Sequence, residues 1–319
     1  MKQEQLFIPI TFPLPFVVGS MNIYLFPGEP LTLLDAGPKT EPARLEIAKT
    51  FEAHGFRHQD IKRIIISHGH VDHFGLAREL AEKSGAEVYI HPCDAPKVRA
   101  GFQFFGTLLP LLQEAGVPKE GLKELEGWCT FADSMKEPVD NVQLLDDNTE
   151  IRFDSFSLKV IHCPGHSQGH VSLYHEGGGE LFGGDHILGE ITPNPAMEPS
   201  CESPGKRNQG LIEYLASLKK IEQLNVKRIF PAHGPVIESP RERIEQIYGH
   251  HERRKEKLFG LLNRQGSTAY ELAEKLFGTA KEADIFLTVS EVLAHLDLIL
   301  QEEKARAEKK NGVIRYFAA

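Results

Sequence analysis

The segment His68-Gly69-His70-Val71-Asp72-His73 sets three imidazoles and a carboxylate directly behind the apolar run Ile64-Ile65-Ile66, with only Ser67 between. Nitrogen and hard oxygen donors together suit zinc and, less selectively, manganese or iron. In an extended segment side chains alternate, so His68 and His70 share a side and can grip one ion. Asp72 and His73 fall where the spacing turns helical, at Leu76, Ala77, Leu80 and Ala81, and can project toward a second ion.

A lone His-x-His is as easily a surface accident as a site. Here the same grammar recurs three times. Ile161-His162-Cys163-Pro164-Gly165-His166-Ser167-Gln168-Gly169-His170 follows strand-like Phe156 to Ile161, Gly183-Gly184-Asp185-His186 follows Glu180-Leu181-Phe182, and Pro231-Ala232-His233-Gly234 follows Arg228-Ile229-Phe230. Each time an apolar run ends and a loop marked by Gly or Pro presents a His or Asp. Sites assembled from loops at strand ends have this form.

The order His68-x-His70-x-Asp72-His73, His166, Asp185, His233 resembles the metallo-β-lactamase superfamily of metallohydrolases over most of residues 20–235. The resemblance implies an α/β fold, a four-layer αββα sandwich. It assigns His68, His70 and His166 to a first divalent metal, Asp72, His73 and His233 to a second, and Asp185 to both. Zinc is the first expectation for the two ions, with iron or manganese as alternatives. A hydroxide bridging the ions would be the nucleophile, because cations lower the pKa of bound water toward neutrality. Asp72 is then the catalytic carboxylate, orienting the hydroxide or passing a proton to the leaving group. Asp35 after Leu31-Thr32-Leu33-Leu34, with His170 and His186 inside ligand motifs, are expected to support the ligands by hydrogen bonds.

The ligand set narrows the chemistry. True β-lactamases of this type differ at the Asp185 position, flavodiiron oxidoreductases carry Glu at the His70 position, and persulfide dioxygenases need only the first metal. A glyoxalase II-like hydrolase of a thioester, ester or lactone remains the leading expectation. An endoribonuclease or phosphodiesterase acting on single-stranded RNA is the alternative, and a non-catalytic metal-binding protein comes third.

The length of 319 residues favours one large and one small domain. Residues 1–240 are expected to form the hydrolase domain, with a helical, aromatic insertion at about 95–136 that either roofs the metal cleft or packs against the sheet or a partner. Residues 241–319 suggest three helices and a hairpin, resembling a winged helix. The net charge of -9 arises in the first 240 residues, and Glu291, Asp297, Glu302 and Glu303 on the candidate recognition helix would repel phosphate. Nucleic acid is therefore disfavoured, a small-molecule substrate expected, and a homodimer a candidate assembly. Lys206 or Arg207 is placed to meet an anionic substrate or to be solvated.

Cys93, Cys129, Cys163 and Cys201 show no Cys-x-x-Cys pair and read as free thiols of a reducing compartment. The stretch Leu6 to Val18 follows Lys2 but is interrupted by Pro9, Pro13 and Pro15, so neither a signal peptide nor a membrane span is expected. The protein reads as cytoplasmic. His54, His58, His91, His175, His250, His251 and His295 lack the Gly-flanked setting and read as exposed or packed.

Overall fold

The computed structural model describes residues 6–16, 18–203 and 205–319. Lys2, weighed above as the charged start of a leader, lies outside them. Strands β1 (Ile8–Pro13), β2 (Ser20–Phe26), β3 (Thr32–Leu34), β4 (Arg63–Ile65), β5 (Glu87–Ile90) and β6 (Val142–Leu144) form one sheet in chain order. The first three strands pair antiparallel and the rest parallel. Strands β7 (Glu150–Arg152), β8 (Ser157–His162), β9 (Val171–His175), β10 (Glu180–Gly184) and β11 (Arg228–Pro231) form the second sheet, parallel only between β10 and β11.

Side-chain alternation stacks these sheets. On β2, Tyr24 and Phe26 face the second sheet, where they meet Leu158, Val160, Phe182 and Phe230. Met21, Ile23 and Leu25 point the other way, into a core with Ile47 and Phe51. The run Ile64-Ile65-Ile66 divides likewise, Ile65 going between the sheets and its neighbours to the outer core. Helices α1 (Glu41–Ala53), α2 (Val71–Phe74) and α3 (Ala77–Ser84) lie on the outer side of the first sheet. The second sheet is covered by α7 (Gly210–Glu222) and α8 (Pro240–Phe259), through Leu211, Tyr214, Leu218, Ile244 and Ile247. The layers are therefore α, β, β, α.

Strand β1 is built from the stretch that three prolines seemed to interrupt. Ile8, Ile10 and Phe12 are buried, whereas Pro9, Thr11 and Pro13 face out. An edge strand tolerates proline where the missing N–H would have met solvent.

Helices α4 (Ala95–Val98), α5 (Phe104–Glu114) and α6 (Lys119–Asp133) make up the insertion. Leu108, Leu112, Leu125 and Cys129 share one core with α9 (Ala269–Phe277), α10 (Ala283–Gln301) and the hairpin β12 (Ala305–Lys310) and β13 (Val313–Ala318). The cap of helix α9 is Thr268, whose hydroxyl accepts from the Glu271 N–H while Glu271 accepts from the Thr268 N–H.

Three expectations are overturned here. Helix α10 does not present Glu291 and Asp297 to solvent: both are buried, because the helix is packed by α6, α7, α8 and α9. Arg207 is neither simply solvated nor free for substrate: it keeps some solvent contact, but its guanidinium makes a two-point pair with the Asp297 carboxylate. Cys93 and Cys201 form a disulfide, which joins loops 108 residues apart and leaves only Cys129 and Cys163 as buried thiols. A reducing compartment therefore no longer follows from the cysteines. Among the described residues no helix is long and apolar enough to cross a membrane.

Removing one partner of a buried pair strands the other charge. Asp297→Ala is expected to destabilise the fold by about 3 kcal/mol, toward the lower end for such pairs because Arg207 keeps some solvent contact. The urea unfolding midpoint measures this, and a variant as stable as the parent contradicts the role given to the pair.

Candidate metal centre

All seven expected ligands sit on loops at one end of the two sheets. His68 and His70 follow β4, Asp72 and His73 open α2, His166 lies between β8 and β9, Asp185 follows β10, and His233 follows β11. They converge. His68 Nε2 lies 2.8 Å and His166 Nε2 lies 3.1 Å from His70 Nδ1. Asp185 faces both groups with different oxygens: Oδ2 is 3.3 Å from His166 Nε2, while Oδ1 is 3.3 Å from His233 Nε2 and 3.5 Å from His73 Nε2. Asp72 Oδ2 lies 3.6 Å from His233 Nε2 and 3.9 Å from His73 Nε2.

The outward nitrogens fix the tautomers, since a carbonyl or carboxylate can only accept. His166 Nδ1 donates to the Asn194 carbonyl at 3.0 Å, His233 Nδ1 to the Ser20 carbonyl at 2.8 Å, and His73 Nδ1 to Asp35 Oδ2 at 2.8 Å. Ser67 Oγ gives its proton to Asp35, so it accepts from His68 Nδ1 at 3.1 Å. The Nε2 atom of each ring therefore turns a lone pair toward the carboxylates. Lone pairs facing carboxylate oxygens repel unless a proton or cation lies between them. His73 Nε2 and Asp185 Oδ1 have no hydrogen-bond partner and are buried, and buried polar atoms are rarely left so. This donor set fits divalent cations.

The electrostatics agree. Burial, then neighbouring imidazoles, hold His68 well below its ordinary pKa, and burial with His166 and Lys97 does the same for His70. Both offer neutral donors. Burial also opposes charge on His233, but Asp185 and Asp72 outweigh it and push its pKa up to about 9. Burial likewise opposes charge on His73, where Asp35, Asp185 and Asp72 prevail and raise it well above the usual value. These carboxylates favour positive charge at the points where the second set of donors meets.

Two of the three expected supporting residues touch the ligand loops. Asp35 adopts the left-handed region at φ 61° and accepts from the Ser67 N–H as well as from His73. His170 Nε2 accepts the backbone N–H of Asp185 at 3.0 Å. It approaches Gly184 so closely that a Cβ there would stand 2.6 Å from the ring nitrogen, at φ +53°. His186 touches no ligand: its ring meets Tyr214 edge-on and neither nitrogen has a partner. Burial raises the Cys163 thiol to about 12, so it packs rather than reacts.

Sequence reasoning passed over Asp94. It is fully buried and ties the two histidine loops together, accepting from the N–H of Gly69 at 2.7 Å, the N–H of Gly169 at 2.9 Å, and the Ser167 hydroxyl. Lys97 Nζ joins it at 2.8 Å and also reaches Glu198 at 2.6 Å. The signal was present, because Asp94 too closes a loop behind a strand, in His91-Pro92-Cys93-Asp94.

A centre of histidines and shared carboxylates on strand-end loops of an αββα sandwich is that of a metallohydrolase. The chain belongs to the metallo-beta-lactamase superfamily, whose sequence pattern matches residues 17–233. A probable metallo-hydrolase of Bacillus subtilis (strain 168), YqjP, is 31% identical over 319 residues and 97% of each chain. A solved metallo-beta-lactamase family protein from Thermus thermophilus superposes with a TM-score of 0.84 at 26% identity, covering 98% of this chain and 99% of its own. An atrochrysone carboxyl ACP thioesterase of Aspergillus fumigatus is 27% identical over 153 residues, 44% of each chain. The protein is a hydrolase of a superfamily that binds divalent metals.

Burial alone would raise the Asp94 pKa, but Lys97, Ser167 and Gly69 together depress it. A depressed carboxyl stabilises the fold above its unfolded pKa of about 3.9 and stops doing so as pH falls through the folded value. Asp94→Asn is expected to cost about 3–5 kcal/mol at neutral pH, with the gap from the parent narrowing below about pH 4. Denaturant titrations across pH test this, and a gap that widens on acidification refutes it.

Proposed function

We propose that the protein is a dinuclear metal-dependent hydrolase of thioesters, esters or lactones. His68, His70 and His166 would hold one ion, Asp72, His73 and His233 the other, and Asp185 both. The observation that carries this reading is the division of Asp185, whose Oδ2 addresses His166 while its Oδ1 addresses His73 and His233. Three donor groups, His68 with His70 and His166, His68 with His73 and Asp185, and Asp72 with His73 and His233, each bring their atoms within 4.8 Å of one another.

Bound divalent ions supply Lewis acidity and lower the pKa of water toward neutrality. The rest falls to the chain. Asp185 is buried and its charge offsets repulsion between two cations. Asp72 is less buried, with 14% of its side chain exposed against 9% for Asp185, so it is placed to orient the attacking water and move its proton to the leaving atom. Asp35, through His73, and Asn194, through His166, hold rings in the tautomer that ligation requires.

Two observations favour an acyl substrate over a polyanion. Lys97 and Arg207, two basic side chains near the ligand loops, are both engaged in ion pairs with buried carboxylates. The net charge is -9, which opposes association with phosphate backbones. The thioesterase named among the relatives supports the same class.

Purified protein loaded with zinc, iron or manganese is to be assayed against acyl thioesters, lactones and short RNAs. Turnover of an acyl substrate is expected, with His70→Ala and Asp185→Asn each lowering kcat/KM by at least about a hundredfold, beyond what loss of an outer partner costs. Cleavage of RNA alone would replace the substrate class. Full activity in Asp185→Asn would sink the shared-carboxylate centre.

A further inference from the structure

Unpartnered buried side-chain atoms gather in two places. Apart from Thr40 Oγ1, those found among the described residues are His73 Nε2 and Asp185 Oδ1 at the metal centre, and the ring nitrogens of His186, Asn194 Oδ1 and His251 Nε2 elsewhere. The second group lies along a seam between the loop after β10 and helices α8 and α10. Tyr214 links it, with ring centroids 4.8 Å from His186 and 5.7 Å from His251.

Hydrogen bonds at the α8–α10 contact fix a tautomer here too. His295 Nδ1 lies 2.7 Å from the Glu291 carbonyl, which can only accept, so that nitrogen carries the proton and His295 Nε2 a lone pair. His251 Nδ1 faces this lone pair at 3.3 Å and is therefore the donor. His251 Nε2 is left with a lone pair, buried and without a donor. A metal-ligating histidine has this arrangement, its other N–H anchored to an acceptor.

Two more donors stand nearby. His250 Nε2 is 3.8 Å from Glu291 Oε1, and the donor atoms of His250, His251 and Glu291 all lie within 4.8 Å of one another. Ligands on tetrahedral zinc stand about 3.4 Å apart, from bonds of about 2.0–2.1 Å, so small side-chain rotations close the set. Burial opposes charge on Glu291, but its contacts with His250 and Arg254 help to hold it below the usual carboxylate range. His251 is neutral, its pKa lowered to about 3 chiefly by burial.

We propose that His250, His251 and Glu291 form a third divalent-metal site of zinc-type chemistry, two imidazole nitrogens and one carboxylate oxygen, which staples α8 to α10. It shares no ligand with the catalytic centre. Asn194 connects the two, its side-chain amide donating to Glu291 Oε2 at 3.3 Å while its backbone carbonyl accepts from His166. Arg254 Nε lies 3.9 Å from Glu291 Oε1, with its guanidinium over the Phe277 ring. An incoming ion must displace that contact, so this site binds more weakly than the catalytic one.

The test is metal stoichiometry in the full chain, loaded with zinc, desalted and measured by mass spectrometry. Three ions per chain are expected, His250→Ala and Glu291→Gln each holding one fewer with an unchanged circular dichroism spectrum. Zinc should raise the Tm of His68→Ala, whose third site is intact, more than that of His68→Ala combined with His250→Ala. Should Glu291→Gln fail to fold, His250→Ala decides, since its ring is partly exposed. Equal metal content in the parent and His250→Ala overturns the third site. Loss of one ion on His250→Ala from a parent holding fewer than three keeps the site and counts instead against the dinuclear reading.

Discussion

Imidazole lone pairs brought together around buried carboxylates are the constraint on which this structure depends. Negative and lone-pair density at this distance is unfavourable in a medium of low polarity, and nothing in the local backbone compensates it. Four of the five rings are held from behind: His68 by Ser67, His73 by Asp35, His166 by Asn194 and His233 by Ser20. Asn22 and Tyr24 of β2 bond the Pro231 carbonyl, which carries the His233 loop across the gap between the two sheets. The loops at this end of the sandwich thus hold the donors in the orientation that a cation would require.

Asp94 does for the loops what the backbone acceptors do for the rings. One carboxylate receives the N–H groups of Gly69 and Gly169, residues adjoining His68, His70 and His170. Its approach demands glycine: a Cβ at position 169 would lie 2.7 Å from the Asp94 backbone nitrogen. Lys97 balances the charge and extends the tie to Glu198, on the loop that also bears Asn194 and Cys201. Disulfide and ion pair therefore act on the same loop, whose carbonyl orients His166.

Much of this was legible in the amino-acid sequence, for a physical reason. Ligands must be side chains of particular types, and they leave strands at loops marked by Gly and Pro, so His68, His70, Asp72, His73, His166, Asp185 and His233 stand out one by one. The apolar run Ile64 to Ile66 that precedes the first of these loops was equally visible. What escaped was carried by groups without a signature. The Asn194 and Ser20 carbonyls belong to any residue, and the Cys93–Cys201 bond spans 108 residues. Strand β1 was hidden because prolines that would break a central strand are harmless at an edge.

Helix α10 shows the limit of charge as a guide to exposure. Its Glu291 and Asp297 looked solvated because acids on a helix usually are, yet each has a cationic or imidazole partner from another segment. Those partners come from the loop after β10 and from α8, so the carboxy-terminal helices are fastened to the loop that positions His166. Asn194 donates to the Leu287 carbonyl and Glu291, Met197 N–H bonds Ser290 Oγ, and Arg207 grips Asp297. A segment that merely appended itself to a finished enzyme would meet it through its surface. This one supplies, through its buried polar groups, part of the scaffold on which His166, a candidate metal ligand, is held.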